Sequence, residues 1–262
     1  MQYYARAYKK DNCDNNIIRM EEYMKSHLYS PMQKDDDFFF FRVPGRPGSG
    51  KASDPCHIFL TSRALLHNIR YLLHGVFQID GTYRLTKNNY PWVICGVVDA
   101  HGHFHPICFM ISSHEKEEDF VDLLEVLIEL SNSLGLVFEP QYVIMDACDA
   151  SYNAVEKVFP RAKILMCWFH VQFNIRKKCE AKLGDDLWQV LLKDMRGLHY
   201  SISTEEYREK TRTFKHYWVK INKDVYTYCE SWFFGRHSAW QIFHNPPGYA
   251  NTNSNIESFN SI

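Results

Sequence analysis

The sequence has no long apolar run. No stretch reaches the roughly 18 consecutive apolar residues that a transmembrane helix needs. Residues 1–16, MQYYARAYKKDNCDNN, also lack the apolar centre of a signal peptide. These two absences predict an intracellular protein that does not associate with a membrane.

The sequence also carries almost no net charge. Its 30 Lys and Arg residues stand against 31 Asp and Glu residues, which gives a formal net charge of −1 at pH 7. This balance excludes the global positive field of many nucleic-acid-binding proteins. Any contact with nucleic acid must therefore be local.

A disulfide framework is missing as well. The spacing of the cysteines follows no regular pattern, which is typical of buried, reduced thiols. The eight cysteines lie at positions 13, 56, 95, 108, 148, 167, 179 and 229. We therefore expect no structural disulfides.

The chain does contain enough apolar material for a large core, since 45% of its 262 residues are apolar. One low-complexity stretch, VPGRPGSGKASDP at residues 43–55, is rich in Pro, Gly and Ser and is typical of an exposed linker. Its GRPGSGK segment lacks the glycine spacing and the Ser or Thr of a phosphate-binding loop. We predict that residues 1–55 form a polar N-terminal region and linker, separate from the core.

From residue 76 onward, strand-like and helix-like patterns alternate. Three runs rich in β-branched and aromatic residues, at 76–85, 92–99 and 104–111, are separated by turn segments and predict an antiparallel meander. Helical periodicity follows at 115–136. Next come a strand, a short helix, a strand and a helix, at 141–146, 149–158, 163–168 and 170–183. This order predicts an α/β fold with a mixed sheet flanked by helices.

The segment FQIDGTYRL allows two interpretations of Asp80. Asp-Gly between alternating apolar residues is typical of a two-residue hairpin turn. Such a turn would leave strands of only about four residues on each side, although KNNYP (87–91) and AHGH (100–103) already supply two turns at ordinary strand spacing. The alternative, a strand that runs straight through Asp80, is better supported and places a carboxylate inside a sheet.

A carboxylate inside a sheet needs a cation or a partner to compensate its charge. Asp146 ends the apolar strand QYVIMD, which in a mixed sheet can lie beside the strand that carries Asp80. Two carboxylates on neighbouring strands can share one divalent ion, and Mg²⁺ is often bound by one or two carboxylates together with phosphates. The spacing alone leaves a metal site and two unrelated carboxylates equally open.

Three segments together resemble the catalytic domain of the Mutator-like element (MULE) transposases. They are FQIDGTYRL with the two strands after it, VIMDACDASYNAVEKVFPRAKILMCWFHVQFNIRKK, and NTNSNIESFN. The shared motifs are an Asp within DGTY, an Asp at the end of a strand, a Cys-x-x-His element and a Glu near the end of the sequence. The resemblance covers about residues 56–262.

This resemblance implies an RNase H-like fold with a DDE catalytic triad. Asp80, Asp146 and Glu257 would carry the triad and bind Mg²⁺ or Mn²⁺, as a pair of ions. The helix-forming segments after residue 183 agree with it: in STEEYREKTRTFKHYW, Ser203 and Glu206 stand at capping-box spacing.

The resemblance also divides the chain into regions. It implies an RNase H-like catalytic core at 56–182 and an α-helical insertion at 183–250, between the second Asp and the Glu. Residues 251–262 would be the start of the core helix that bears Glu257, cut short by the end of the sequence.

By the same resemblance, the protein is expected to cleave transposon-end DNA and join it to target DNA, by in-line attack at phosphorus. Its partners would be terminal inverted repeats and target DNA, it could form a homo-oligomer, and it would act in the nucleus. Two alternatives stay open. One is a catalytically inactive, transposase-derived DNA-binding or transcriptional protein, and the other is an RNase H-like nuclease for other nucleic acids.

Two features depart from the family pattern and favour the inactive alternative. No Cys/His spacing of a zinc-binding DNA-recognition module precedes residue 56. The sequence also ends at residue 262, shortly after Glu257, where the family helix would continue. The presence of all three acids, Asp80, Asp146 and Glu257, favours an active transposase instead.

Several residues have both a functional and a structural interpretation. Glu257 follows Ser254 at capping-box spacing, so helix capping is an alternative to catalysis. Cys167 and His170, in CWFH, have half of a zinc site's spacing. The resemblance gives this pair a supporting role near the active site or in DNA handling, and a core thiol is the alternative for the cysteine.

A basic cluster follows His170 on the same predicted helix. It consists of Arg176, Lys177, Lys178 and Lys182. Such a cluster can neutralise DNA phosphates, although a solvated helix face explains it nearly as well. The segment HGHFH at 101–105 is expected to form a polar hairpin loop rather than a metal site, and Asp149 is expected at a helix N-terminus rather than on a metal.

Overall fold

Seven strands form one central sheet in the computed structural model, which describes residues 17–30, 32–41, 51, 56–82 and 90–249. The strands are β1 (Phe39–Phe41), β2 (His57–Thr61), β3 (Val76–Thr82), β4 (Trp92–Val98), β5 (Phe104–Ser112), β6 (Tyr142–Met145) and β7 (Lys163–Met166). Their order is β1-β2-β5-β4-β3-β6-β7. β3, β6 and β7 run parallel, and the other neighbours are antiparallel. This mixed sheet is consistent with an RNase H-like fold.

The antiparallel meander predicted from the sequence is confirmed by β3, β4 and β5. Asp80 lies inside β3 and pairs with Ile94 of β4. The hairpin-turn interpretation of Asp80 is therefore wrong, and the interpretation as a strand residue is confirmed. Residues 83–85, the end of the predicted strand, lie outside the described residues.

Helices flank the sheet. They are α1 (Ile17–Ser26), α2 (Arg63–Leu66), α3 (Glu117–Ser133), α4 (Asp149–Val158), α5 (Trp168–His199), α6 (Thr204–Ile221) and α7 (Lys223–Phe233), with 3₁₀ segments at His67–His74 and Ile242–His244. Acidic residues occupy the first turn of α3, where the helix dipole favours negative charge. None of the helices in the described ranges combines the length and apolar character that a membrane span requires.

One face of the sheet packs against α3 and α4. Phe77 and Met145 share the main core with Leu124 of α3 and Val155 of α4. The ring of Phe77 meets Phe138 edge-on, with 5.1 Å between the ring centroids. Burial of these large apolar side chains anchors the two parallel strands that lead towards Asp80 and Asp146.

The opposite face carries Asp80, because side chains alternate along a strand. Val76, Ile144 and Leu165 form a small core on this face. Ala239 and Tyr249 pack against that core, and the backbone N–H of Met166 donates to the carbonyl of Ala239 at 2.9 Å. After the helices, the chain therefore returns to the sheet beside β7, and we call residues 239–249 the return segment.

The N-terminal region contributes to the sheet, which differs from the expectation of a separate polar region up to residue 55. β1 pairs with β2, aligning Phe40 with Leu60, and it forms one edge of the sheet. Phe40 packs with Met24 of α1 and with Ile58. The composition of residues 1–55 did not predict a strand here, because β1 is only three residues long and lies between polar segments.

α5 contains a break at Gly184, where φ is 68° and ψ is 170°. A left-handed φ is favoured by glycine, and here it separates the helix that follows β7 from the one that continues to His199. The predicted helical segments after the break are confirmed. Ser203 caps α6 by accepting a hydrogen bond from the backbone N–H of Glu206, and Asn222 caps α7 in the same way.

Candidate metal centre

Asp80, within β3, lies level with Asp146, the residue that directly follows the neighbouring parallel strand β6. β3 and β6 pair Gln78 with Ile144. Because the two strands are parallel, the residues two positions later, Asp80 and Asp146, are also opposite each other. Both side chains therefore emerge at one edge of the sheet and on one face of it.

Cys167 extends this row to the next strand. β6 and β7 pair Met145 with Met166, so Asp146 and Cys167 occupy the following positions. Cys167 is the N-cap residue of α5. His170 follows three residues later, which brings its side chain back over the same side of the helix.

His170 contacts both carboxylates. Its Nε2 lies 3.8 Å from Oδ1 of Asp80, and its Nδ1 lies 3.9 Å from Oδ1 of Asp146. One ligand atom from each of the three residues lies within 4.8 Å of the others. Opposite ligands around an ion with bonds of about 2.1 Å are about 4.2 Å apart, so small side-chain rotations are enough to bring these atoms around one ion.

The centre combines a buried acid with more accessible partners. The Asp80 side chain is 4% exposed, whereas that of Asp146 is 35% exposed and that of His170 is 18% exposed. Burial by itself would lower the pKa of His170, but a hydrogen bond with Cys167 and the charges of Asp146 and Asp80 raise it to about 10. In the absence of a metal ion, this raised pKa favours the protonated imidazole of His170 beside the two carboxylates.

The donor set fits a divalent cation. Two carboxylates supply the oxygen ligands that Mg²⁺ and Mn²⁺ prefer, and a neutral imidazole can supply one nitrogen ligand. A bound cation would also replace the imidazolium as the charge that compensates Asp80 and Asp146, leaving His170 free to lose its proton. Within the ranges that the structure covers, no other three His, Cys, Asp or Glu side chains converge in this way.

The sequence predicts that Asp80 and Asp146 can lie together, and the family resemblance implies a supporting role for His170 and Cys167. The structure brings His170 into direct contact with both acids, so it is a candidate ligand as well. The sequence signal for this contact was the Cys-x-x-His spacing at the start of α5. Residues three apart at a helix start have their side chains on the same side of the helix. Glu257 lies outside the described residues.

The four predicted DNA-binding residues lie on α5 and are exposed. They are Arg176, Lys177, Lys178 and Lys182. Arg176 forms an ion pair with Glu180 at 3.0 Å, one helical turn away. Exposed pairs of this kind contribute little to stability, so this arginine is free to exchange its partner for a phosphate.

The HGHFH segment lies at the hairpin turn between β4 and β5, as predicted, and Asp99, directly after β4, organises this turn. The Asp99 carboxylate accepts hydrogen bonds from the backbone N–H groups of His101 and His103, both at 2.9 Å. Its other oxygen lies 2.9 Å from Nε2 of His105. Asp149 is the first residue of α4, as expected, and it contacts Nε2 of His237 at 3.0 Å.

Asp99→Asn is expected to lower the free energy of unfolding at pH 7 by about 1 kcal/mol, because charge-assisted hydrogen bonds are lost. Burial would raise the pKa of Asp99, but the hydrogen bonds from His105, His103 and His101 outweigh it and lower that pKa. The stabilisation is therefore complete above the unfolded-state pKa of about 3.9 and is lost below it. Urea unfolding at several pH values measures this.

The stability gap between parent and Asp99→Asn should be present at pH 7 and should shrink as the pH falls below about 4. Asp186→Asn, which changes an exposed residue of α5, is the matched control and should unfold like the parent at each pH. A gap that stays constant across this range would contradict the assignment of the stabilisation to the Asp99 carboxylate.

Comparison with known families agrees with the geometry. Residues 76–174 match the family model of the MULE transposase domain. The matched span runs from β3 into α5 and includes Asp80, Asp146, Cys167 and His170. It confirms the resemblance drawn from the sequence motifs. No curated protein matches the chain.

Proposed function

Because the chain carries a MULE transposase domain at residues 76–174, we propose that it is a DDE-type transposase catalytic domain. It cleaves transposon-end DNA and transfers the freed strands to target DNA, using Mg²⁺ or Mn²⁺. The observation that carries this proposal is the register that sets Asp80 opposite Asp146, with His170 against both carboxylates.

Asp80 and Asp146 would hold the cations, with His170 as a nitrogen ligand once it is neutral. Bound divalent ions supply activation of the attacking oxygen and stabilisation of the leaving oxygen in a displacement at phosphorus. The chain contributes fixed positions for these ligands, because Asp80 lies within β3 and Asp146 directly follows β6. The 35% exposure of the Asp146 side chain leaves that side of the centre open to a DNA phosphate.

Glu257 is the proposed third acid, and the path of the return segment supports it. Tyr249 packs on the sheet face that carries Asp80. Glu257 lies eight positions after Tyr249, and eight extended residues span up to about 28 Å. A chain that leaves the sheet on this face can therefore bring Glu257 to the two aspartates.

In this proposal, residues 56–182 are an RNase H-like core and residues 183–250 are a helical insertion within it. The break at Gly184 supports a boundary near the start of the insertion, and the pairing of Ala239 with Met166 supports a return to the core before Glu257. Residues 251–262 would begin the helix that bears Glu257.

DNA is the proposed partner, both as terminal inverted repeats and as target, and the proposed site of action is the nucleus. Arg176, Lys177, Lys178 and Lys182 would neutralise backbone phosphates near the metal centre. Their exposure on α5, the helix that also carries His170, supports this role. Assembly into a homo-oligomer would let one complex hold two transposon ends.

The proposal is tested by incubating the purified chain with supercoiled plasmid DNA carrying candidate inverted repeats. We expect nicking that requires Mn²⁺ or Mg²⁺, stops with EDTA, and falls at least about 100-fold in Glu257→Gln, since a metal-bound carboxylate is worth several kcal/mol in such a site. Glu209→Gln, an exposed position on α6, is the matched control and should nick like the parent.

Three other outcomes would count against parts of the proposal. Cleavage in EDTA would contradict the metal-dependent mechanism. Full activity of Glu257→Gln would remove Glu257 from the triad. Equal nicking of DNA with and without inverted repeats would favour a general RNase H-like nuclease over a transposase.

A further inference from the structure

Two phenylalanines are exposed on the first turns of α5. Phe169 is 46% exposed and Phe173 is 53% exposed. Their rings are nearly parallel, with 14° between the planes and 6.4 Å between the centroids. Phenyl side chains are usually buried, and a pair of parallel exposed rings is an apolar surface suited to a flat partner.

This pair lies directly beside the metal centre. The ring of Phe169 meets the imidazole of His170 edge-on, with centroids 5.5 Å apart. His170 in turn lies within 4 Å of both aspartates: 3.8 Å from Asp80 and 3.9 Å from Asp146. A group stacked on Phe169 is therefore separated from the candidate metal ligands by a single side chain.

Basic residues follow the two phenylalanines on the same side of the helix. At 100° per residue, Phe169, Phe173 and Arg176 fall within about 60° of one another around the helix axis. Arg176 and the adjacent Lys177 are exposed. The helix thus presents two aromatic rings nearest the metal centre and cations one turn further on.

We propose that Phe169 and Phe173 form a stacking platform for unpaired bases of the DNA strand at the cleavage site. The inference rests on the proposed transposase function and names how that site binds its substrate. Aromatic rings beside cations are the combination that binds single strands, because every base offers a flat face and every linkage a phosphate. A continuous duplex hides its base faces by stacking, so the platform favours DNA that is unpaired next to the scissile phosphate.

The test measures binding of a short single strand that contains 2-aminopurine, and of the matching blunt duplex, both in EDTA so that no cleavage occurs. Phe169→Ala and Phe173→Ala should each weaken single-strand binding by about 5-fold to 150-fold, the range for losing one stacked base. Duplex binding should change less than about 2-fold, because phosphate contacts remain. The quenching of 2-aminopurine by stacking should be lost in both variants.

Three kinds of control variant accompany these measurements. Phe169→Tyr and Phe173→Tyr keep a flat ring and should retain the quenching. Tyr200→Ala removes another exposed aromatic, 60% exposed at the far end of α5, and should bind like the parent. Asp80→Asn should also keep the stacking signal, so failure of the catalytic proposal and failure of the platform give different results.

Unchanged quenching in Phe169→Ala and Phe173→Ala would overturn the platform. Equal weakening of single-strand and duplex binding would also overturn it, since the rings would then not select unpaired bases. A change in oligomeric state without a change in single-strand binding would identify the two rings as a protein contact instead.

Discussion

Asp80→Asn is expected to lower metal-dependent DNA cleavage at least about 1,000-fold, because loss of a carboxylate ligand removes several kcal/mol of transition-state stabilisation. Asn keeps the shape of Asp and can still accept a hydrogen bond, so the change isolates the negative charge. The backbone pairing of residue 80 with Ile94 does not involve the side chain and should be unaffected.

The effect should be large because Asp80 is the most buried acid of the centre, with a side chain only 4% exposed. Water cannot readily take the place of this carboxylate on a cation, whereas the more open Asp146 is accessible to solvent. Initial nicking rates of parent and variant in Mn²⁺ provide the measurement. Circular dichroism and thermal unfolding of both proteins verify that the fold is retained.

Asp186→Asn serves as the matched control, since it makes the same chemical change at an exposed position of α5. Its cleavage rate should equal that of the parent. If folded Asp80→Asn cleaved DNA at the parental rate, Asp80 could not be a ligand of the catalytic ion.

The second large effect is expected on stability, from Trp240→Ala. Replacing a large buried aromatic residue by Ala typically costs about 3 to 5 kcal/mol, from lost transfer free energy and from the cavity that remains. Trp240 is fully buried and stacks on Trp168 at 5.4 Å between centroids, with 10° between the ring planes. The imidazole of His199 stacks on Trp168, with 4.2 Å between the ring centroids.

Hydrogen bonds raise the cost of losing this tryptophan. Its Nε1–H donates to the carbonyl of Phe233 at 2.7 Å, and its own carbonyl lies 2.7 Å from Nδ1 of His199. Without the indole, the carbonyl of Phe233 loses its donor inside the core, which adds to the cavity cost. Urea unfolding should therefore show a much lower midpoint with a similar slope.

Trp232→Ala is the comparison for this experiment, because Trp232 is 40% exposed and stacks on His237 at 5.9 Å between centroids. It should cost far less than Trp240→Ala. A loss of stability in Trp240→Ala no greater than that in Trp232→Ala would contradict the view that the Trp168–His199–Trp240 stack holds the return segment to the sheet.

The position of Asp80 could be predicted from the sequence because periodicity and turn chemistry agreed there. Apolar residues flank it at alternating positions, and two separate turn segments follow it at ordinary strand spacing, at 87–91 and 100–103. The alternation of strands and helices allowed the strand before Asp146 to lie beside the strand that carries Asp80. The parallel pairing of β3 with β6 confirms that the two strands are neighbours.

Other features depend on contacts that periodicity does not encode. β1 is three residues long and owes its place in the sheet to pairing with β2. The contact of His170 with both acids requires the exact exit angle of α5 from β7. The return of Ala239 to Met166 joins residues more than 70 positions apart, and no local pattern marks it.

We propose that Asp80 and Asp146 belong to one cation site. Calorimetric titration of Mn²⁺ into the parent chain, Asp80→Asn and Asp146→Asn tests it without requiring catalysis or a known DNA end. We expect saturable Mn²⁺ binding to the parent chain and no Mn²⁺ binding to Asp80→Asn or Asp146→Asn. Asp186→Asn should bind Mn²⁺ like the parent. No binding to the parent, or equal binding to the parent and both variants, would contradict it.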